Sequence, residues 1–265
     1  MIKLNGEPIN VTMFPDGTSQ VWHITNIKED ENIVEWKFEH EGELVHLWQL
    51  RTLLCKKAEL ARRILLMPYL PYGRQDKNIC NEETFALHTF CDMLGEMYWD
   101  EIKTFDAHSD ASKRWVNVIN IEPDLSFVHD YEIVCLPDKG AFDRYHPLIS
   151  AHPCIIYGDK VRDPSTGWIT SYRLVGEHDI QGKNIIVVDD LCDGGATFNI
   201  LAKSFEDAMV LNLYVSHGIF SKGVEELLKS YGHIYTTDSF IRPAHLLYIT
   251  AKQYLESVHI EELKL

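Results

Sequence analysis

Short apolar runs alternate along this chain with longer segments of helical spacing. Near the N-terminus, Val21-Trp22-His23-Ile24 and Ile33–Phe38 read as strands, with Pro15-Asp16-Gly17 as a turn signal before them. Leu47, Leu50, Leu54, Ala58 and Ala61 recur at helical spacing and predict a helix over Leu44–Arg63. A strand over Ile64–Met67 should end at Pro68, followed by a helix over 82–95 whose inward face is Thr84, Phe85, Leu87, His88, Cys91 and Leu94. Ile102–Phe105 is the next strand. The second half repeats the rhythm, with strands at Ile133–Leu136, Cys154–Tyr157, Ile169–Val175, Ile185–Val188 and Val210–Val215. Helices are expected at Ala141–Ile149, 197–207 and 221–230, then strands at His233–Thr236 and Leu246–Thr250 and a closing helix to about residue 257. Strands alternating with helices predict an α/β fold of parallel, doubly wound sheets, with ligands at the strand C-terminal ends. The expected division is two units, 1–125 and 126–265, joined around Asn120–Asp124.

Composition narrows the classes. The 265 residues are 45% hydrophobic, enough for one large or two smaller cores, and no apolar window is long enough to span a membrane. The N-terminal sequence lacks the apolar core and small-residue cleavage site of a signal peptide. The six cysteines are scattered without CxxC pairs, which predicts free thiols and a cytoplasmic protein. A formal charge of −15, with no runs of Lys or Arg, argues against a nucleic-acid partner. An acidic chain that handles phosphates is expected to work through divalent cations.

Candidate chemistry concentrates in NIIVVDDLCDGGATFNI, residues 184–200. The buried strand meets Asp189 and Asp190, then Asp193-Gly194-Gly195-Ala196-Thr197 opens a helix. Backbone N–H groups converging on such a turn hold phosphate, and paired carboxylates accept hydrogen bonds from vicinal ribose hydroxyls. Asp138-Lys139-Gly140-Ala141 is a second strand-to-helix turn, suited to diphosphate and, through Asp138, to Mg²⁺. The rigid loop 67–77, MPYLPYGRQDK, offers aromatic planes and an Arg for a purine nucleotide. His108, just past the 102–105 strand, is a metal ligand or a phosphate donor. Lys160 and Arg162, two apart before the polar stretch 164–167, would close over developing phosphoryl charge. Taken singly, each of these except the 184–200 segment reads as readily as an ordinary turn or surface loop.

Order and spacing bind them together. The chain resembles the ribose-phosphate diphosphokinases, or phosphoribosyl-diphosphate synthetases. The resemblance runs through Phe14-Pro15-Asp16-Gly17, the 68–77 segment, Asp106-Ala107-His108, Asp138–Ala141, Asp159–Arg162, Val188–Thr197 and His217-Gly218-Ile219-Phe220-Ser221. It implies two related domains like the type I phosphoribosyltransferases, assembled as a homodimer or larger homo-oligomer. It implies ATP bound by Phe14, Asp16, Arg74, Gln75, Asp76 and His108, some supplied by a neighbouring subunit, and Mg²⁺ served by His108 and Asp138. Asp138, Lys139 and Gly140 would form the diphosphate loop, and Lys160 and Arg162 would be the catalytic cations. Asp189, Asp190, Asp193, Gly194, Gly195, Ala196 and Thr197 would hold the ribose phosphate. The implied reaction passes the diphosphoryl group of ATP to the anomeric hydroxyl of a ribose 5-phosphate unit.

Three positions depart from the family pattern. Thr18 stands where an acid is usual, Gly194-Gly195-Ala196-Thr197 replaces Thr-Gly-Gly-Thr, and the chain is short. A looser, glycine-rich cup admits a substituted phosphate, so the acceptor is expected to be either ribose 5-phosphate or a 5′-extended ribose such as ADP-ribose. The second would give ADP-ribose 1-diphosphate for NAD⁺ rebuilding, as in similar short members of the family encoded by phages. The alternatives are a phosphoribosyltransferase that consumes phosphoribosyl diphosphate, and a catalytically silent regulator of the same fold.

Overall fold

The computed structural model describes residues 1–77, 82–162, 169–176 and 179–240, without the side chains of 160–162 and 169–172. The expected strand at Leu246–Thr250, the closing helix and the polar stretch 164–167 lie outside the described residues. The chain folds as two compact units, one built on Met1–Glu122 and joined by Ser239 and Phe240, the other on Pro123–Asp238.

The first unit is a six-stranded sheet. Its strands are β1 (Ile2–Leu4), β2 (Glu7–Pro8), β5 (Glu31–Trp36), β6 (Arg62–Met67), β7 (Glu101–Phe105) and β8 (Val118–Ile121), in the order β2-β1-β5-β6-β7-β8. β5 to β8 are parallel, while β1 runs antiparallel to both β2 and β5. A separate hairpin pairs β3 (Asn10–Met13) with β4 (Ser19–Trp22). Helix α1 (Glu43–Lys57) buries Leu44, Leu47, Leu50 and Leu54 in the core, and α2 (Ala86–Gly95) adds Leu87, Phe90, Cys91 and Leu94.

Two expectations are corrected here. The first helix ends at Lys57, six residues early, because the Arg62 N–H already pairs with the Asp30 carbonyl to begin β6. Asn120 and Ile121, read as the start of the interdomain linker, instead close β8, an edge strand of this sheet, while the division between units falls at Glu122 and Pro123, inside the expected joint. On α2, Phe90 is buried, whereas Thr84 precedes the helix and His88 is only half-buried.

The second unit holds β9 (Ile133–Leu136), β10 (Ile155–Arg162), β11 (Ile169–Val175), β12 (Asn184–Cys192), β13 (Val210–Gly218) and β14 (Ile234–Thr236). Their order is β11-β10-β9-β12-β13-β14. All but β11 are parallel; β11 returns antiparallel along β10, so both sheets are mixed at an edge. α3 (Lys139–Ile149) follows β9, and α4 (Ala196–Ala202) follows β12. Strand alternation divides the core between the two faces. Ile185 and Val187 pack with Phe198 and Leu201 of α4, while Ile186 and Val188 pack with Ala141, Tyr145 and Ile149 of α3.

The helix expected over 221–230 is absent. Gly223 sits at φ +76° with its N–H on the Phe220 carbonyl, a tight turn, and only Leu227–Lys229 winds as a short 3-10 turn. Similarly, α4 gives way at Lys203 to a 3-10 turn through Phe205.

Candidate active site

In the second unit, β9 leads through α3 to β10 on one side, while β12 and β13 extend the sheet on the other. Chain order therefore reverses between β9 and β12, the place where open α/β sheets form a ligand crevice beyond their strand ends. The β9–β12 register, Ile185 on Ile133 and Val187 on Cys135, puts the turn after β9 beside the acids of β12. Both anion turns picked out in the sequence thus meet at one switch point.

The two acids lie within β12, which continues to Cys192, rather than after its end. Alternation sends Asp190 to the α3 face, where Arg144 of α3 meets its Oδ2 at 3.0 Å. Asp189 lies on the other face, its Oδ1 accepting the Asp190 N–H at 2.9 Å. Burial, then the neighbouring Asp190 carboxylate, with Asp138 adding to it, hold the Asp189 carboxyl well above the usual carboxylate range. The two acids are therefore unequal: one is neutralised by an arginine, while the other is crowded by negative charge.

Asp138 caps α3, its Oδ1 accepting the Ala141 N–H at 2.9 Å. Lys139 does not stand free beside it. Its Nζ is 2.6 Å from Asp143 and packs over the Phe142 ring, and the Asp143 hydrogen bond raises its pKa. Gly195 ends the phosphate turn at φ +75°, and a Cβ there would press on Leu227. Asp193 accepts a short hydrogen bond from Ser221. Above the turn, the N–H groups of Ile219 and Phe220 both donate to the Cys192 carbonyl, and a Cβ on Gly218 would fall 2.2 Å from the Phe220 ring. The 217–222 segment is thereby strapped over the 192–195 turn. Lys160 and Arg162 lie on β10, opposite Tyr172 and Ile169 of β11, and their side chains lie outside the described residues.

In the first unit, the loops after β6 and β7 meet: the Phe105 N–H donates to the Pro68 carbonyl, and a Cβ on Gly73 would reach the His108 Cβ at 3.9 Å. Arg74 and Gln75 are exposed and Asp76 half-buried, on a loop set by Tyr72, whose φ is +63° and whose hydroxyl donates to Glu41 at 2.6 Å. Buried Asp106 takes φ +42°, a constrained backbone next to half-buried His108. Phe14 and Asp16 are exposed at the β3–β4 turn, and Thr18 has a clear role there. Its hydroxyl and N–H both donate to the Asp16 Oδ1, at 2.7 and 3.0 Å, and lower the pKa of that carboxyl. A carboxylate at position 18 would repel Asp16 instead.

Among the described residues, no group of three or more His, Cys, Asp and Glu side chains is placed to hold a metal. No described helix is long and apolar enough to cross a membrane. Two residues missed in the sequence stand out. Arg144 leaves no motif signal; Lys222 directly follows the His217–Ser221 run and was within reach of a closer reading.

No family model matches the chain. Curated relatives do. A protein of Lactococcus lactis, named provisionally as a second ribose-phosphate pyrophosphokinase, is 26% identical over 237 residues, covering 80% of this chain and 72% of its own. Ribose-phosphate pyrophosphokinases of Thermococcus kodakarensis and Pyrococcus abyssi are 24% and 25% identical; the second alignment covers 96% of this chain and 92% of the relative. The crystal structure of phosphoribosylpyrophosphate synthetase from Mycobacterium smegmatis superposes with a TM-score of 0.75, covering 90% of this chain and 83% of that one at 20% identity. Along most of its length the chain is similar to ribose-phosphate pyrophosphokinases. The two-domain fold is the one found in that solved phosphoribosylpyrophosphate synthetase.

Proposed function

We propose that this chain transfers the β,γ-diphosphoryl group of ATP to the anomeric hydroxyl of a ribose 5-phosphate unit. The anomeric oxygen attacks the β-phosphorus, the bond from that phosphorus to the α,β-bridging oxygen breaks, AMP leaves with that oxygen, and the hydroxyl proton is lost. The observation carrying this reading is the acceptor turn. Asp189, Asp190 and Asp193–Thr197 stand at the switch point of the second sheet, beside a second anion turn headed by Asp138. The exposed Arg74-Gln75 loop and neighbouring His108 support an ATP site in the first unit.

Mg²⁺ fits this donor set. Asp138 and Asp189 crowd one another with negative charge, and a Mg²⁺ bound chiefly by nucleotide phosphates and water needs only one or two protein carboxylates. Asp138 would hold it in the second unit, where it would neutralise charge on the diphosphate, and His108 would serve a Mg²⁺ site of its own in the first unit. Lys160 and Arg162 would stabilise the charge spread over the transferring phosphoryl oxygens. Assembly as a homodimer or larger oligomer, with Phe14 and Asp16 serving a neighbour's ATP, belongs to the same reading.

The finer proposal concerns the acceptor. Gly194-Gly195-Ala196 surrounds the 5′-phosphate with backbone rather than a second hydroxyl, which favours a substituted phosphate such as that of ADP-ribose, giving ADP-ribose 1-diphosphate for NAD⁺ rebuilding. Incubation with ATP, Mg²⁺ and either acceptor tests it by AMP release. Faster release with ADP-ribose supports the extended acceptor; faster release with ribose 5-phosphate removes it and leaves the diphosphokinase reading intact.

A further inference from the structure

The stem of Lys222 lies along the acceptor turn. A Cβ built on Gly194 would sit 3.3, 3.4 and 3.6 Å from the lysine Cδ, Cε and Cγ, so the methylenes cover the face that glycine leaves open. The position is fixed from below. Phe220, at φ +47° and buried, anchors the segment beneath Gly218, and the Cys192 carbonyl takes two of its N–H groups. Gly223 then turns the chain away.

Charge sharpens the observation. In the same unit Lys139, Lys183 and Lys229 each sit on a carboxylate, Asp143, Glu132 and Glu226 respectively. Lys222 enters no ion pair or hydrogen bond among the described residues, although its protein carries a formal charge of −15. The nearest acid of the turn, Asp193, is held by the Ser221 hydroxyl instead. An exposed ammonium on a stem pinned across the turn, with no protein partner, is placed for an anion that the ligand brings.

We propose that Lys222 is a specificity-determining residue of the acceptor site, binding the second phosphate of a ribose 5′-diphosphate ester. This rests on the diphosphokinase reading above. The backbone of Asp193–Thr197 takes the phosphate nearest the ribose, and the ammonium, outside Gly194, takes the next one. A 5′-monophosphate gains far less from it.

The test compares wild type with Lys222→Ala and Lys222→Arg, using ADP-ribose and ribose 5-phosphate as acceptors at saturating ATP. Lys222→Ala should lower kcat/KM for ADP-ribose at least tenfold more than for ribose 5-phosphate, chiefly through KM. The KM for ATP should not move, and Lys222→Arg should recover most of the loss. Titration calorimetry with ADP-ribose alone should show the same weakening without turnover. Equal losses on both acceptors, or no loss on either, overturn the assignment. A wild-type enzyme that releases no AMP with either acceptor sinks the diphosphokinase reading instead, and the calorimetric comparison still judges Lys222.

Discussion

Arg144 Nη1 lies 3.0 Å from Oδ2 of Asp190, tying helix α3 to the strand that carries the acceptor acids. Asp190 is almost fully buried, so loss of its partner leaves an uncompensated charge next to the switch point. Breaking a fully buried pair typically costs about 3–5 kcal/mol; with Arg144 20% exposed, Arg144→Ala should cost about 2 kcal/mol of stability. Thermal unfolding checks this. Arg144→Met combined with Asp190→Asn should recover much of the loss, and additivity of the two changes would count against the pairing.

Asp189 sets a pH dependence. Its folded pKa is raised by burial and by Asp190, so the folded state holds the proton more tightly than the unfolded chain. The group's stability contribution is complete below the ordinary carboxylate pKa and is lost as pH rises through the raised folded value. Asp189→Asn should therefore melt higher than wild type at neutral pH, with a flatter decline between mildly acidic and neutral conditions. Its acceptor affinity should fall. Identical pH profiles for the two proteins would exclude the effect.

Glycines in the strap and turn should differ sharply in tolerance. Gly218→Ala forces a methyl to within 2.2 Å of the Phe220 ring and 2.8 Å of the Thr236 hydroxyl, so it should cost about 3 kcal/mol or fail to fold. By contrast Gly182, in the turn before β12, is at positive φ with nothing within 4 Å of its Cβ position, and Gly182→Ala should cost only about 1–2 kcal/mol of backbone strain. Urea unfolding of the two variants separates packing from strain.

Thr18 orients the Asp16 carboxyl and lowers its pKa. Thr18→Ala should move the Asp16 pKa up towards its ordinary value, readable by NMR titration. If Asp16 serves ATP, the KM for ATP should rise severalfold with kcat little changed.

Regular elements with dense periodic cores were legible from the chain. Ile185–Val188 and Ile133–Leu136 are buried on both faces and appear where expected. Failures came where local pattern met tertiary constraint. Ala58 and Ala61 continue the helical spacing of α1, yet pairing of Arg62 with Asp30 ends it. Val118–Ile121 is a short edge strand with too few residues to stand out, and its last two residues read as the start of the linker. Residues 221–230 carry helical spacing that the turn at Gly223 overrides. At the site, the paired acids and glycine turn were visible because their spacing is contiguous. Arg144 was not, because only folding brings α3 against β12.

Lys160→Ala and Arg162→Ala should each abolish turnover while leaving ATP affinity within a few fold, as equilibrium binding would show. Wild-type turnover in both would remove them from the reaction.

ATP labelled at its β-phosphorus tests the central claim most directly. With Mg²⁺ and a ribose-phosphate acceptor, the label should appear in the acceptor's 1-diphosphate while the AMP formed carries none. Label retained in ATP or recovered in ADP, with no labelled acceptor, would contradict diphosphoryl transfer.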